Sequence, residues 1–224
     1  MNTFEGRKIL VTAGPTWVSI DSVRVITNIF KGTLGLIIAE EAAKRGAKVT
    51  LLLGPASISP SQEYSKFRII RFKFFDDLYE LMRKEITSRK YDVVVHSAAV
   101  SDYVPTKIFD GKIKSGKRDL VIRLIPTAKI VDQIKKWDPK VFLVKFKVEG
   151  NVSKEDLIQI AYNSMRSSNA NLIVANDIKD IGEKTHKALI IDLDKRIVAT
   201  ASKEGTAKCL LDMITQQAWK LARN

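Results

Sequence analysis

Lys8-Ile9-Leu10-Val11-Thr12-Ala13-Gly14-Pro15-Thr16 is an apolar run that stops abruptly at a glycine and a proline. The aliphatic and β-branched side chains from Lys8 to Thr12 predict a buried strand, and Gly14-Pro15 predicts the turn that ends it. A helix is expected from Leu34 to Arg45, because Leu34, Ile37, Ile38 and Ala42 repeat on one face and Gly46 follows. Val49 to Leu53 then reads as a second strand closed by Gly54-Pro55, and Phe67 to Phe72 as a third. Asp76 or Asp77 is expected to cap a helix carrying Leu78, Leu81, Met82 and Ile86 on one side, and Tyr91 to His96 is a fourth strand. Strands alternating with helices imply a mostly parallel sheet covered on both faces. Ligands of such doubly wound sheets lie beyond the carboxyl ends of the strands.

The second half is more mixed. Leu120 to Ile125 alternates like a strand, Thr127 to Trp137 looks helical, and Val141 to Phe146 is a strand. Ser153 with Asp156 three residues on marks a helix start, with the helix running to about Arg166. Leu172 to Ala175 is a short strand, Ala188 to Asp192 should pair with Arg196 to Thr200, and Glu204 to Ala222 closes the chain as a helix. The expected fold is therefore α/β, a Rossmann-like doubly wound, mostly parallel sheet with an added strand and hairpin region for dimerisation. One domain is expected over residues 1–224, with a flexible lysine-rich lid at about 103–118.

Composition narrows the function. Hydrophobic residues make up 45% of the 224, which is globular usage, and no apolar run is long enough for a membrane span. The polar start leads straight into the first strand, so no signal peptide is expected. A single cysteine, Cys209, leaves neither an internal disulfide nor a cysteine metal cluster, and a cytoplasmic setting is expected. The formal charge is +13, and residues 107–147 hold most of the excess, with 12 basic against 4 acidic side chains. A field concentrated in that way steers anionic ligands. Nucleic acid competes at this charge, but the basic segment lacks interleaved aromatics and no nucleic-acid-binding motif is present, so a small polyanion is favoured.

Gly14 is a candidate phosphate cradle, and Lys31-Gly32-Thr33 before the first helix suits a phosphate at a helix N-terminus. Neither Gly-x-Gly-x-x-Gly nor a Walker A sequence occurs. Leu53-Gly54-Pro55 stands where a dinucleotide enzyme carries its ribose-binding carboxylate, which counts against a nicotinamide oxidoreductase. Three further segments stand out: Asp21 to Asn28, His96 to Tyr103, and Asn176 after its strand. Read singly, Asn28 and Asn176 could be turn formers, Arg24 a surface ion pair and His96 a satisfied strand-end histidine.

Together the segments resemble a known family. Ile-Leu-Val-Thr-Ala-Gly-Pro-Thr at 9–16, Ile-Asp-Ser-Val-Arg-Val-Ile-Thr-Asn at 20–28, Ser-Ala-Ala-Val-Ser-Asp-Tyr at 97–103, Gly-Lys-Ile-Lys at 111–114 and Val-Ala-Asn-Asp at 174–177 are similar to the phosphopantothenate–cysteine ligases of coenzyme A synthesis. The resemblance covers essentially the whole chain and matches the free-standing form, without the decarboxylase often fused in front. It implies that 4′-phosphopantothenate is activated by CTP, with ATP as the alternative, in the presence of Mg2+, and that cysteine then attacks the acyl nucleotide. It implies that Asn28 and Ala99, with Arg24 from the second subunit of a homodimer, hold phosphopantothenate. It assigns Lys112, on the lid, as the cation that supports the reaction, and Ser97, Ala98 and Asp102 to the base and ribose. Ile130, Val131 and Phe146 are the further nucleotide contacts it implies. The chain departs from the family pattern at Pro15, at Ile29-Phe30-Lys31, at Lys129, and at Ser164 and Ser168, which are lysines in many CTP-using members.

Overall fold

The computed structural model describes residues 3–55, 60, 67–116, 118–182 and 185–218. The chain runs β1 (Lys8–Ala13), β2 (Trp17–Ser19), β3 (Val25–Thr27), α1 (Thr33–Lys44), β4 (Lys48–Leu53), β5 (Arg68–Arg71), α2 (Phe75–Thr87), β6 (Val93–His96), β7 (Tyr103–Pro105), β8 (Leu124–Pro126), α3 (Val131–Trp137), β9 (Phe142–Glu149), α4 (Lys154–Ser167), β10 (Leu172–Asp177), β11 (Ala188–Asp192), β12 (Ile197–Thr200) and α5 (Lys203–Ala218).

Eight strands form one sheet in the order β12-β11-β10-β9-β6-β1-β4-β5. β5, β4, β1, β6, β9 and β10 are parallel, while β11 and β12 add an antiparallel hairpin beside β10. Successive residues of a strand point to opposite faces, so both faces are apolar. Ile9, Val11 and Ala13 of β1 pack with α1 and α5, whereas Leu10 packs with α2, α3 and α4. From β1 the chain moves outward to β4 and β5, then returns to lay β6 on the other side of β1. The strand order thus reverses between β1 and β6, and the carboxyl ends of those strands open the crevice that such a reversal creates.

Two small ribbons rise from that edge. β2 pairs with β3, and β7 pairs with β8, both antiparallel. The expected strand over Leu120 to Ile125 is corrected here: only Leu124–Pro126 pairs, because its partner β7 is just three residues long. The first three residues of the expected lid belong to β7. The predicted Asp76 or Asp77 cap is also corrected. The residue at the cap of α2 is Phe74, which offers no side-chain acceptor, and the Asp77 carboxylate instead reaches back to the amides of Lys73 (3.1 Å) and Phe74 (2.9 Å). Ser153 does cap α4, accepting from the Asp156 amide at 3.0 Å. The expected helix from Thr127 begins only at Val131, since the Thr127 amide and hydroxyl are tied to the carbonyls of Asp102 and Ser101. The expected end of the last helix, beyond Ala218, lies outside the described residues.

Candidate functional site

The site grows from two glycines. Gly14 (φ 87°) ends β1 and Gly32 (φ 75°) precedes α1, both in the left-handed region that favours glycine. They lie against one another: a Cβ on Gly32 would stand 2.2 Å from the Gly14 nitrogen. That contact sets the N-terminus of α1 directly over the end of β1. No side chain caps this helix, so its first amides and its dipole face the crevice.

The 97–103 segment closes the other side. Its backbone runs alongside the Gly14 turn, with Ala99 N donating to Gly14 O (3.0 Å) and Thr16 N donating to Ala99 O (3.2 Å). Asn28, at the end of β3, donates its amide to the same Ala99 carbonyl at 3.0 Å. A Cβ on Gly35 of α1 would lie 3.0 Å from the Ser97 hydroxyl, so Ser97 stands beside the first turn of that helix. Gly14, Asn28, Ser97, Ala98 and Ala99 are thus gathered at the strand-order reversal. Small side chains there leave backbone open to an incoming ligand. Asp102 is exposed at the rim.

Polar groups pack beneath the crevice, where His96 is the satisfied strand-end histidine that the sequence allowed. Thr12 accepts from the Ala98 amide (3.0 Å) and shares a hydrogen bond with His96 Nδ1 (3.1 Å). Burial, helped by the nearby Lys145 charge, pushes His96 down to about 4, so the ring is neutral. Lys145 is itself buried in β9. Its ammonium donates to the Ser164 carbonyl (2.8 Å) and the Ser168 hydroxyl (2.6 Å), and Ser168 donates to Asp132 (2.6 Å). Burial lowers Lys145 to about 8, against the opposing pull of Asp132. Its only signal in the sequence was a lysine inside an apolar strand. Part of the basic excess of residues 107–147 is therefore structural, since Lys135 also donates to the Val141 carbonyl (2.6 Å).

The remaining candidates are more scattered. Ile130 is wholly inside the core formed with α2 and α4, so the structure does not place it at an open surface. Val131 packs partly against that same core, whereas Phe146 packs partly against the core on the opposite face. Asn176 is buried, donating to the Lys187 carbonyl at 2.6 Å, and stands apart from the β1–β6 crevice. Arg24 lies at the tip of the β2–β3 hairpin, where its guanidinium pairs with Asp21 and reaches the Ile113 carbonyl at 3.4 Å. Lys112 is exposed on the segment docked against that tip. β4 ends at Leu53 with Gly54 next, so no carboxylate stands at the ribose position of a dinucleotide enzyme.

Among the described residues no group of three or more His, Cys, Asp or Glu side chains could hold a metal ion, and no helix is long and apolar enough to cross a membrane. Such a cluster is not what Mg2+ needs when a triphosphate supplies its other oxygens, since one or two carboxylates then suffice.

Residues 4–218 match the model of the DNA/pantothenate metabolism flavoprotein C-terminal domain. The chain belongs to that family. It is 41% identical over 192 residues to the coenzyme A biosynthesis bifunctional protein CoaBC of Thermococcus kodakarensis, a match covering 86% of this chain and 46% of that protein. Against the protein of the same name from Bacillus subtilis it is 33% identical, with 80% and 42% covered. The chain thus spans about half the length of the curated relatives it matches. Among solved structures it is similar to the DNA/pantothenate metabolism flavoprotein from Streptococcus pneumoniae, with a TM-score of 0.86, 32% identity, and 94% of this chain and 99% of that one covered. The C-terminal domain of CoaBC superposes with a TM-score of 0.81 at 28% identity, covering 98% of this chain and 100% of that one. The family's frame agrees with the eight-stranded sheet and the crevice at its strand-order reversal.

Proposed function

We propose that the chain is a phosphopantothenate–cysteine ligase. One observation carries the reading: Asn28, Ala99, Gly14 and the uncapped N-terminus of α1 converge at the strand-order reversal of a family member. In the first step a carboxylate oxygen of 4′-phosphopantothenate attacks the α-phosphorus of a nucleoside triphosphate. The bond to pyrophosphate breaks and an acyl nucleotide forms. In the second step the amine of cysteine attacks the acyl carbon, loses its proton, and expels the nucleoside monophosphate.

The residues suit these steps. Charge accumulates on the leaving pyrophosphate, where Lys112 and the dipole of α1 are the available positive groups. The Asn28 amide and the Ala99 backbone hold the phosphopantothenoyl end without repelling a phosphate. Ser97, Ala98 and Asp102 line the way to the nucleotide, with Val131 and Phe146 further out. CTP is the expected co-substrate and ATP the alternative. Magnesium enters only as the ion a triphosphate carries with it.

A second copy completes the site in this reading. The two ribbons at the carboxyl edge and the segments beside them expose Val23, Ile29, Tyr103, Val121, Leu124 and Ile125, apolar side chains that a two-fold partner would cover. The test is pyrophosphate release with 4′-phosphopantothenate, followed by cysteine addition, using CTP or ATP in separate runs. Release that requires phosphopantothenate, and amide product that requires cysteine, is the expected result. Lys112→Gln should lower release by about 10²–10³-fold without loss of folding. No release with either triphosphate would remove the assignment.

A further inference from the structure

The segment bearing Lys112 is hydrogen-bonded to the tip of the β2–β3 hairpin. Phe109 N donates to Ile20 O (2.9 Å) and Ser22 N donates to Gly111 O (3.3 Å). At the centre is Asp21, whose side chain is completely buried. Its carboxylate accepts from the amides of Val23 (2.9 Å) and Arg24 (2.7 Å), from the Arg24 guanidinium, and from the Ile113 amide at 3.0 Å, ninety-two residues away. Burial pushes the Asp21 carboxyl up, but the amides of Ile113, Val23 and Arg24 outweigh it and hold the group at about 2. The Ile113 side chain is buried beside this knot, and Arg24 also touches the Ile113 carbonyl.

We infer that Asp21 is a positioning residue: it fastens the backbone beside Lys112, together with Arg24, into one unit aimed at the reacting phosphates. The inference rests on the ligase reading, since only there does Lys112 have a task. A lysine on a free loop of this kind would sample many positions. A misplacement of about 1 Å can cost about 10²-fold in rate, so fixing the neighbouring amide has kinetic consequences.

Asp21→Asn keeps the size of the side chain but removes its charge and sets an amide donor against one of the backbone N–H groups. Ile113→Pro deletes the facing donor and leaves Asp21 intact. Each variant should lower pyrophosphate release about 10- to 100-fold, with little change in the KM for triphosphate. For Asp21→Asn, hydrogen exchange at the Ile113 amide should accelerate while β1 and β6 stay protected. In a Lys112→Gln background Ile113→Pro should cause no further loss, because its contact serves Lys112, whereas Asp21→Asn should keep only the part of its loss that runs through Arg24. Full activity of both variants, or equal losses with and without Lys112, would overturn the inference. A fully active Lys112→Gln would instead strike down the role given to Lys112 in the ligase reading, and this inference with it.

Discussion

Asn28 shows how little chemistry a single residue needs in order to discriminate. Its side chain donates to the Ala99 carbonyl, so the amide is already oriented at the mouth of the crevice. A neutral amide can serve an acyl phosphate, whereas a carboxylate in the same place repels it and cannot donate to Ala99 O. Asn28→Asp should therefore lower overall turnover by at least about tenfold, the loss of one charge-matched hydrogen bond, while CTP affinity changes less. The comparison is triphosphate binding by calorimetry against amide formation by assay; wild-type values in both would remove Asn28 from the site. Gly14 was legible as the turn that ends a strong strand, whereas Asn28 and Ala99 were pointed to by the family resemblance of their segments. The roles of Thr12, Lys145 and Asp21 were not legible. Thr12 reads as one more β-branched strand residue, and Lys145 as an interruption. Asp21 matters only through an amide ninety-two residues further along the chain.

At the scale of elements, legibility followed length and period. β1, α1, β4, α2 and β6 carry clear apolar patterns, the first three with glycine or proline near an end, and each stands within about two residues of where it was expected. β2, β3, β7 and β8 have three residues each, too few to show alternation, and they exist because a partner ribbon is present. Between neighbouring strands the register places His96 of β6 level with Thr12 of β1 on one side and Lys145 of β9 on the other. That arrangement has a consequence in solution. Burial lowers the folded pKa of His96 from an ordinary 6.5 to about 4. Between those values the unfolded chain binds the extra proton, so stability rises with pH. The contribution of neutral His96 is complete above about pH 6.5 and is lost as the pH falls towards 4. Lowering the pH from 7.5 to 5 should cost about 2 kcal/mol in denaturant unfolding. His96→Gln should flatten most of that slope. The control is needed because burial also lowers the only other histidine, His186. Lys145 does not interfere, because its window begins near pH 8. An unchanged slope in His96→Gln would refute the account.

The hairpin of β11 and β12, expected beforehand as part of a dimer surface, extends the main sheet and leaves β12 at its edge, while β11 is buried along its whole length. Exposed apolar residues cluster on and beside the two short ribbons, and Leu193 and Ile197 of the β11–β12 hairpin are exposed as well, so in the ligase reading the carboxyl edge joins that hairpin as a candidate contact between subunits. Arg24 sits at the tip of one ribbon and Asn28 at its base. Four extended residues separate the two by about 13 Å, so both cannot easily grip one small ligand from the same chain. A partner supplying Arg24 resolves the conflict, and the Asp21 knot makes Lys112 travel with it. Subunit mixing then separates the arrangements. Combining Asn28→Asp with Arg24→Ala should restore about one quarter of wild-type activity: random exchange makes half the dimers mixed, and each mixed dimer has one intact site of two. Combining Arg24→Ala with Lys112→Gln should restore nothing, because every site then receives one damaged unit. Recovery in the second mixture would mean that Lys112 serves a different centre from the Arg24 of its own chain. If verified exchange gives no recovery in the first mixture, Arg24 is a surface ion pair or acts within its own subunit, and the shared site is refuted.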